Sequence, residues 1–311
     1  MKEFHLNYYP NFKCIASDCT HSCCVGWVMN IDQDSLNNYK THNSAFSPRL
    51  KKGINFKKSV FLRDRKGRCA FLNDKGLCEI IVNLGDKSLC QVCTDHPRFR
   101  TFFDDRVETG LGFSCEQATR VILGYKDKIE PILFKDDLAQ TSPSPLQAFV
   151  LEFRQKALAI IQDRNTPISN RLQALLSLSN AQISAQDFNK VLKTFLSLER
   201  LDKHWTKRLL LLKKNTPSLT TENSLELYCE QFLVNGIFRH VSSAEDSMTA
   251  RARMVSCVLS WWVIKGVFEL EKTDCDFDLI CDVVREFSAE VEYSENNLTK
   301  LFNHALQFVK I

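Results

Sequence analysis

The sequence predicts a mainly α protein in two parts: an N-terminal cysteine-rich metal-binding region with short β-hairpins, followed by an all-helical bundle. Three observations carry that prediction. Nine of the thirteen cysteines lie within the first 115 residues. From residue 146 onward, apolar residues recur at three- and four-residue spacing, the period of an amphipathic helix. Between these regions, Lys126 to Pro145, ending LAQTSPSP, is rich in turn formers and breaks the periodicity. The expected organisation is a cysteine-rich domain over 1–125, a linker over 126–145 and a helical domain over 146–311.

In chain order, the first region alternates short apolar runs with turns. Val60 to Leu72 reads as a hairpin around Lys66–Gly67, and Phe99 to Leu111 as another around Asp104–Asp105. Hairpins this small have a thin core, and ligation by cysteine would compensate for it. In the second region, Leu146, Phe149, Val150, Phe153, Ala157, Ile160 and Ile161 form one helical stripe. The next begins with Ser184 as N-cap and runs through Phe188, Val191, Leu192, Phe195 and Leu196. Further helical runs are expected near 204–213, 224–240, 247–270, 277–291 and 297–309. The longest, around Trp261 and Trp262, is apolar nearly all round, as a central bundle helix should be.

Bulk properties narrow the role of the cysteines. A chain of 311 residues buries a sizeable core, so disulfide staples are not needed. The N-terminus, MKEFHLNYYPNFKC, has no continuous apolar run and no small-residue cleavage site, so the expected location is the reducing cytoplasm. Metal ligation or catalysis is favoured there over persistent disulfides. The longest apolar run, MVSCVLSWWVI, is too short for a membrane span, and no membrane association is expected. Net charge is +4, and the excess is local: residues 1–125 hold 18 Lys/Arg against 13 Asp/Glu. Nine basic residues fall between Arg49 and Arg68 with only Asp64 among them. The run reads as a solvated loop or a docking surface for an acidic partner. Without interleaved aromatics, nucleic acid is not expected.

The cysteine spacing is C-x4-C-x3-CC from Cys14 to Cys24, then C-x8-C-x11-C-x2-C from Cys69 to Cys93, then Cys115. Zinc fingers and ribbons need paired CxxC or HxxxH units, and the only CxxC here is Cys90–Cys93. The run of CxxC steps of a bacterial ferredoxin is absent. A radical S-adenosylmethionine signature starts at Cys19 and Cys23 and fails, because Cys24 follows at once and position 26 is glycine. Thioredoxin-like chemistry at Cys90–Cys93 lacks its βαβ context. His21 and His96 are candidate ligands or bases, or ordinary turn residues. Soft thiolates gathered from distant segments suit an iron–sulfur cluster or zinc. Nine exceed one four-ligand site, so there are either two centres, or one centre surrounded by other cysteines.

The boxes FKCIASDCTHSCCVGWVMNID, RCAFLNDKGLCEIIVNLGDKSLCQVCTDHPRF and GLGFSCEQATRVIL together resemble the flagellin lysine-N-methylase family, within a wider group carrying a CxxCxxCC-type zinc- or iron-chelating domain. The resemblance spans roughly residues 10–125. It implies methyl transfer from S-adenosylmethionine to surface lysines of flagellin by a protein carrying a [4Fe-4S] cluster, with zinc as the alternative metal. It also implies metal ligands among Cys14, Cys19, Cys23, Cys24, Cys69, Cys78, Cys93 and Cys115. Cys90 is not required by the pattern. Pro97 and Arg98 match the family's PR, and Arg98 becomes a candidate to pair with the cofactor carboxylate, with a structural ion pair as the alternative.

VETGLG, Val107 to Gly112, looks like the acidic glycine-rich loop of Rossmann-type methyltransferases, but no strand–helix alternation surrounds it and it reads as a hairpin strand leading to Cys115. Lysine methylation requires a neutral ε-amine, and no general base identifies itself. Three readings follow. The metal centre orients the cofactor, or it only holds the fold of a methyltransferase, or the chain is a metal-stabilised, non-catalytic binding or adaptor protein docking through the 49–68 basic run. Trp205, Trp261, Trp262, Cys229, Cys257, Cys275 and Cys281 read as helical core.

Overall fold

The computed structural model describes residues 1–136, 141–271 and 277–310. In chain order its elements are β1 (Lys2–Leu6), α1 (Gln33–Thr41), α2 (Ser47–Gly53), β2 (Ile54–Asn55), β3 (Val60–Phe61), α3 (Glu79–Leu84), α4 (Gln91–Asp95), β4 (Arg98–Phe102), β5 (Arg106–Leu111), α5 (Glu116–Leu123), β6 (Pro131–Asp136), α6 (Pro145–Ile161), α7 (Ile168–Leu178), α8 (Phe188–Ser197), α9 (Lys203–Leu212), α10 (Glu226–His240), α11 (Ser247–Glu271), α12 (Phe277–Phe287) and α13 (Glu295–Leu306). The chain is mainly helical, as expected. It divides into two compact units that do not follow chain order. Unit 1 comprises Met1–Phe12, Phe99–Ser114 and Ala118–Ile311, and unit 2 comprises Lys13–Arg98 and Cys115–Gln117.

Unit 1 combines the helical array with a four-stranded sheet in the order β4-β5-β1-β6. The expected helices form, and α11 runs through their middle, packed against α7, α9, α10, α12 and α13. Its residues from Met254 to Phe268 are buried on every side, including Trp261 and Trp262, whose indole N–H groups donate to Thr221 Oγ1 and Pro217 O. One helix was not expected: α7, which begins after Pro167 and buries Ile168, Leu172, Leu175 and Leu176. After α12 the helix widens into a π-turn over Ser288–Glu292, burying Glu290 and Glu292. Cys229, Cys257 and Cys281 lie in the helical core, whereas Cys275 lies outside the described residues.

The hairpin expected over Phe99–Leu111 forms as β4 and β5, closed by the Phe103 N–H donating to Arg106 O at 2.8 Å. The rest of the sheet departs from expectation. β1 pairs parallel with β5, Lys2 opposite Arg106 through His5 opposite Thr109. β6 lies inside the segment expected as a linker and pairs antiparallel with the other side of β1. The sheet is tied to α10 by Tyr8, whose hydroxyl donates to Asn235 Oδ1 at 2.6 Å and accepts from the Leu111 N–H at 3.1 Å. Within VETGLG, Glu108 is buried in a two-pronged ion pair with Arg154 of α6, at 2.5 and 2.8 Å. An added Cβ at Gly110 would collide with the Phe99 ring. The stretch is a packed strand, as expected.

Unit 2 holds its own apolar cluster, built on Met29, Ile31, Leu36, Tyr39, Leu50, Ile54, Phe61, Phe71 and Ile80. Here short helices outnumber hairpins. The turn expected at Lys66–Gly67 is present, with Gly67 at φ +77° and the Asp64 N–H donating to Arg68 O. Its arms meet only at a bridge between Arg63 and Cys69, because Val60–Phe61 pairs instead with Ile54–Asn55. The basic run therefore spans α2, the small β2–β3 ribbon and the Lys66–Gly67 turn. Arg49 turns inward, pairing with Glu79 at 2.7 Å and lying over the Phe71 ring, while Lys51, Lys52, Lys57, Lys58, Arg65 and Lys66 stay exposed.

Candidate metal centre

All nine N-terminal cysteines fall in unit 2, although Cys115 is separated from the others by a segment of unit 1. They are present as thiols. Each reaches its place for a local reason. The Cys24 carbonyl accepts from the Cys69 N–H at 2.8 Å, and a bridge between Val25 and Arg68 extends that pairing, so the adjacent-cysteine stretch lies alongside the Lys66–Gly67 turn. Cys69 leads into a tight turn in which the Leu72 N–H donates to Cys69 O, and Leu72 then bridges Cys78 at the start of α3. Cys90 is the N-cap position of α4, and the N–H groups of Cys93 and Thr94 both donate to its carbonyl. Asp32 couples that turn to α1. One carboxylate oxygen caps α1 through Ser35 N at 2.9 Å and the other accepts from Gln91 N at 2.8 Å. Those bonds outweigh the burial that opposes ionisation and keep the carboxyl below its usual range.

The segment around Cys14–Cys23 is anchored differently. Glu116, immediately after Cys115, accepts from Thr20 N at 2.9 Å, Thr20 Oγ1 at 2.7 Å and His21 N at 3.2 Å. This carboxylate, 12% exposed, ties the loop following Cys19 to the residue following Cys115. His21 Nδ1 lies 2.9 Å from Thr20 Oγ1 and 3.7 Å from Glu116, and the His96 ring lies 6.2 Å from that of Trp27. Arg98, the candidate for a cofactor carboxylate, donates through Nη1 to Thr94 O at 3.1 Å, across the end of α4. Glu116, Asp32 and Trp27, whose indole donates to Cys23 O at 2.7 Å, position the thiols and were not singled out from the sequence. The contacts of Glu116 with Thr20 and His21 and of Asp32 with Gln91 span 59 to 96 residues, so no local signal announces them.

Two neighbouring thiol pairs shift each other's ionisation in opposite directions. Cys24 accepts from Cys23 and is drawn down to about 7, while Cys23 is raised by donating that bond. Cys90 is lowered by the bond it accepts from Cys93, whose own ionisation is correspondingly opposed. Burial raises Cys19 and Cys69 to about 12, and raises Cys78 as well. Desolvation is the leading cause at Cys19, Cys69 and Cys78, an electrostatic setting that a cation would relieve. Among the described residues, no group of three or more His, Cys, Asp or Glu side chains stands so as to hold a metal ion. The donor chemistry fits a soft-metal group, but a preformed mononuclear site is not in place.

Comparison with known proteins adds relatives of modest similarity. No family model and no solved structure matches the chain. It is similar to the flagellar biosynthetic protein FliU of Salmonella muenchen, at 27% identity over 138 residues, covering 41% of this chain and 82% of that protein. It is also similar to proteins named lysine-N-methylase from Salmonella choleraesuis and Salmonella typhimurium. Each is 25% identical over 205 residues, covering 61% of this chain and 50% of the relative. The chain therefore spans about half the length of the lysine-N-methylases it matches. Among the described residues, no helix is long and apolar enough to cross a membrane.

Proposed function

We propose that this chain is a protein-lysine N-methyltransferase of the flagellin-modifying kind, using S-adenosylmethionine and a [4Fe-4S] cluster held by the cysteines of unit 2. The observation that carries the reading is the gathering of nine thiols from four stretches of chain into one unit, in a protein similar to lysine-N-methylases. Ligands are drawn from Cys14, Cys19, Cys23, Cys24, Cys69, Cys78, Cys93 and Cys115. When bound, such a cluster with an open iron supplies a chelating site for the amino and carboxylate groups of S-adenosylmethionine. Arg98, at the end of α4 beside Thr94, is the candidate second partner for that carboxylate.

The reaction moves a methyl group from the sulfonium to the lysine Nζ. The C–S bond breaks as the C–N bond forms, and S-adenosylhomocysteine leaves as the neutral thioether. The ammonium proton must go first, because a protonated amine has no lone pair to attack. Desolvating the incoming lysine lowers its pKa towards neutrality and prepares that lone pair. Unit 2 supplies such surroundings in the half-buried Trp27, Phe46 and Phe56 around its apolar cluster.

The test is anaerobic purification followed by measurement of iron, acid-labile sulfide and zinc, with labelled methyl transfer to flagellin assayed before and after cluster removal. Iron and sulfide with activity lost on removal is the expected result. Zinc without iron would refute the cluster, and activity retained without it would make the metal structural. Absence of transfer under every condition would leave the metal-stabilised adaptor, for which the exposed lysines of α2 and the β2–β3 ribbon are the natural docking face.

A further inference from the structure

We propose that the outer face of α9, in unit 1, is a docking surface for an acidic amphipathic helix of the protein substrate. The proposal rests on the reading above that the chain acts on a protein, and it names the surface that would hold that protein and the chemistry it would recognise.

The helix sorts its own residues. Trp205, Arg208, Leu209 and Leu212 are buried in the helical core, which leaves Lys203, Lys207, Leu210 and Lys214 on the opposite side at successive spacings of four, three and four residues. They form one straight ridge about 16 Å long at a rise of about 1.5 Å per residue. Leu211 and Lys213 flank it, one on each side. Leu210 is 45% exposed and Leu211 50%, so the run of four leucines splits into an inward pair and an outward pair. The outward pair adds nothing to the core, and between lysines it offers an apolar contact to a second molecule.

The same face has no counter-charge of its own. From Lys203 to Thr221 the sequence contains no Asp or Glu. The carboxylates that approach α9 from α11 and α12 are engaged elsewhere: Glu271, Asp282 and Glu286 pair with the buried Arg208, and Glu286 also takes His204. Among the described residues, Lys203, Lys207, Lys213 and Lys214 form no ion pair. Ammonium groups at both ends of an apolar centre are complementary to carboxylates placed at both ends of another. The straight ridge selects a helix as the element that carries them, because a partner helix presents its own residues along a matching line at i, i+3, i+4 and i+7. An anionic lipid surface fits this face poorly. A helix lying in a membrane keeps its cations on the face away from its apolar one, whereas Lys207 and Lys214 stand in line with Leu210, so inserting the leucine would carry both ammonium groups towards hydrocarbon.

The experiment uses the full chain and two labelled peptides of identical composition. In one, leucines lie on a single helical face between glutamates; in the other, the same residues are scrambled so that no such face forms. Fluorescence anisotropy should show the amphipathic peptide binding about tenfold more tightly than the scrambled one. Lys207→Glu/Lys214→Glu and, separately, Leu210→Gln/Leu211→Gln should each abolish that preference. All four side chains are exposed, so the melting temperature should stay at the wild-type value. With flagellin as substrate, both variants should raise KM about tenfold and leave kcat unchanged, the signature of binding that is equal in the ground and transition states. Equal affinity for the two peptides, unaltered binding in both variants, or binding to phosphatidylserine vesicles in preference to the amphipathic peptide would overturn the proposal. A peptide preference that the variants lose, in a chain that transfers no methyl group, would sink only the methylation reading. Methyl transfer with KM unmoved in both variants would sink only the docking surface.

Discussion

Replacing Glu116 with alanine should loosen metal retention without unfolding the protein. The carboxylate accepts three hydrogen bonds at 2.9, 2.7 and 3.2 Å from Thr20 N, Thr20 Oγ1 and His21 N, across a sequence separation of 95–96 residues. Burial opposes its ionisation, yet the bonds from Thr20 and His21 outweigh it and hold the carboxyl below its usual range, so the anchor works as an anion. A hydrogen bond to a charged group is worth roughly 1.5–3 kcal/mol, but the donors regain water when this loop opens, so a combined loss of about 2–3 kcal/mol is expected. At 1.4 kcal/mol per tenfold, that is about 30- to 150-fold in the closed-loop population. It agrees with the roughly 10- to 100-fold cost in affinity seen when ligand-orienting partners are removed. The assay is the rate of iron release to a chelator, followed by the loss of cluster absorbance. Glu116→Gln keeps an acceptor oxygen and loses the charge, and should fall between wild type and Glu116→Ala. Release at the wild-type rate from Glu116→Ala would refute the anchoring argument.

Further outcomes follow from the packing. Tyr8→Phe strands the Asn235 Oδ1 and Leu111 N–H that the hydroxyl serves in a fully buried place, at a cost of about 2–4 kcal/mol. Circular dichroism should then record a fall in melting temperature of roughly 4–16 °C, and an unchanged melt would sink the assignment. Gly53→Ala drives a Cβ into the Phe71 ring at the centre of the unit 2 cluster, which should cost about 1–3 kcal/mol and reduce metal content. Normal metal loading and stability in that variant would show that the ring moves aside. Although burial opposes it, the charge of Arg239 and the hydrogen bond from His240 hold the buried Glu292 carboxyl down to about 2, against 4.5 ordinarily. A carboxylate whose folded value is depressed stabilises fully above about 4.5 and loses that contribution as pH falls from there towards 2, here roughly 3 kcal/mol. Urea midpoints at pH 6 and pH 3 should therefore differ less in Glu292→Gln than in wild type, and equal differences would count against the ion pair.

The sequence announced what depends on near neighbours. The stripes of α6 and α8, the nearly uniform apolarity of α11 and the turn at Gly67 arise from residues a few positions apart, and each formed. The stripe of α7 was equally present at Ile168, Leu172, Leu175 and Leu176, but its buried Arg171 interrupts it. That cation is placed by Glu226 and Glu230 of α10, well over 50 residues away. β1 and β6 carried no signal of their own. β6 is exposed at every position, and what makes it a strand is its hydrogen bonds to β1, more than 120 residues earlier. For the thiols, spacing excluded several familiar sites and left two centres or one. That Cys24 packs against the unit 2 cluster while its neighbour Cys23 is exposed is legible only in the fold.

Unit 2 is completed by three residues that arrive after a stretch of unit 1, so the order of synthesis matters to its chemistry. Cys14 through Cys93 leave the ribosome as one run, and Cys115 follows 22 residues later. At about 5–20 residues per second, that is an interval of about 1–4 seconds. During it eight of the nine thiols are available, while Cys115 and the Glu116 carboxylate that ties down Thr20 and His21 are still to come. A delivery system meeting the nascent chain would therefore find the stretch around Thr20 not yet anchored. A chain interrupted before Cys115 would lose that thiol and the Glu116 anchor together.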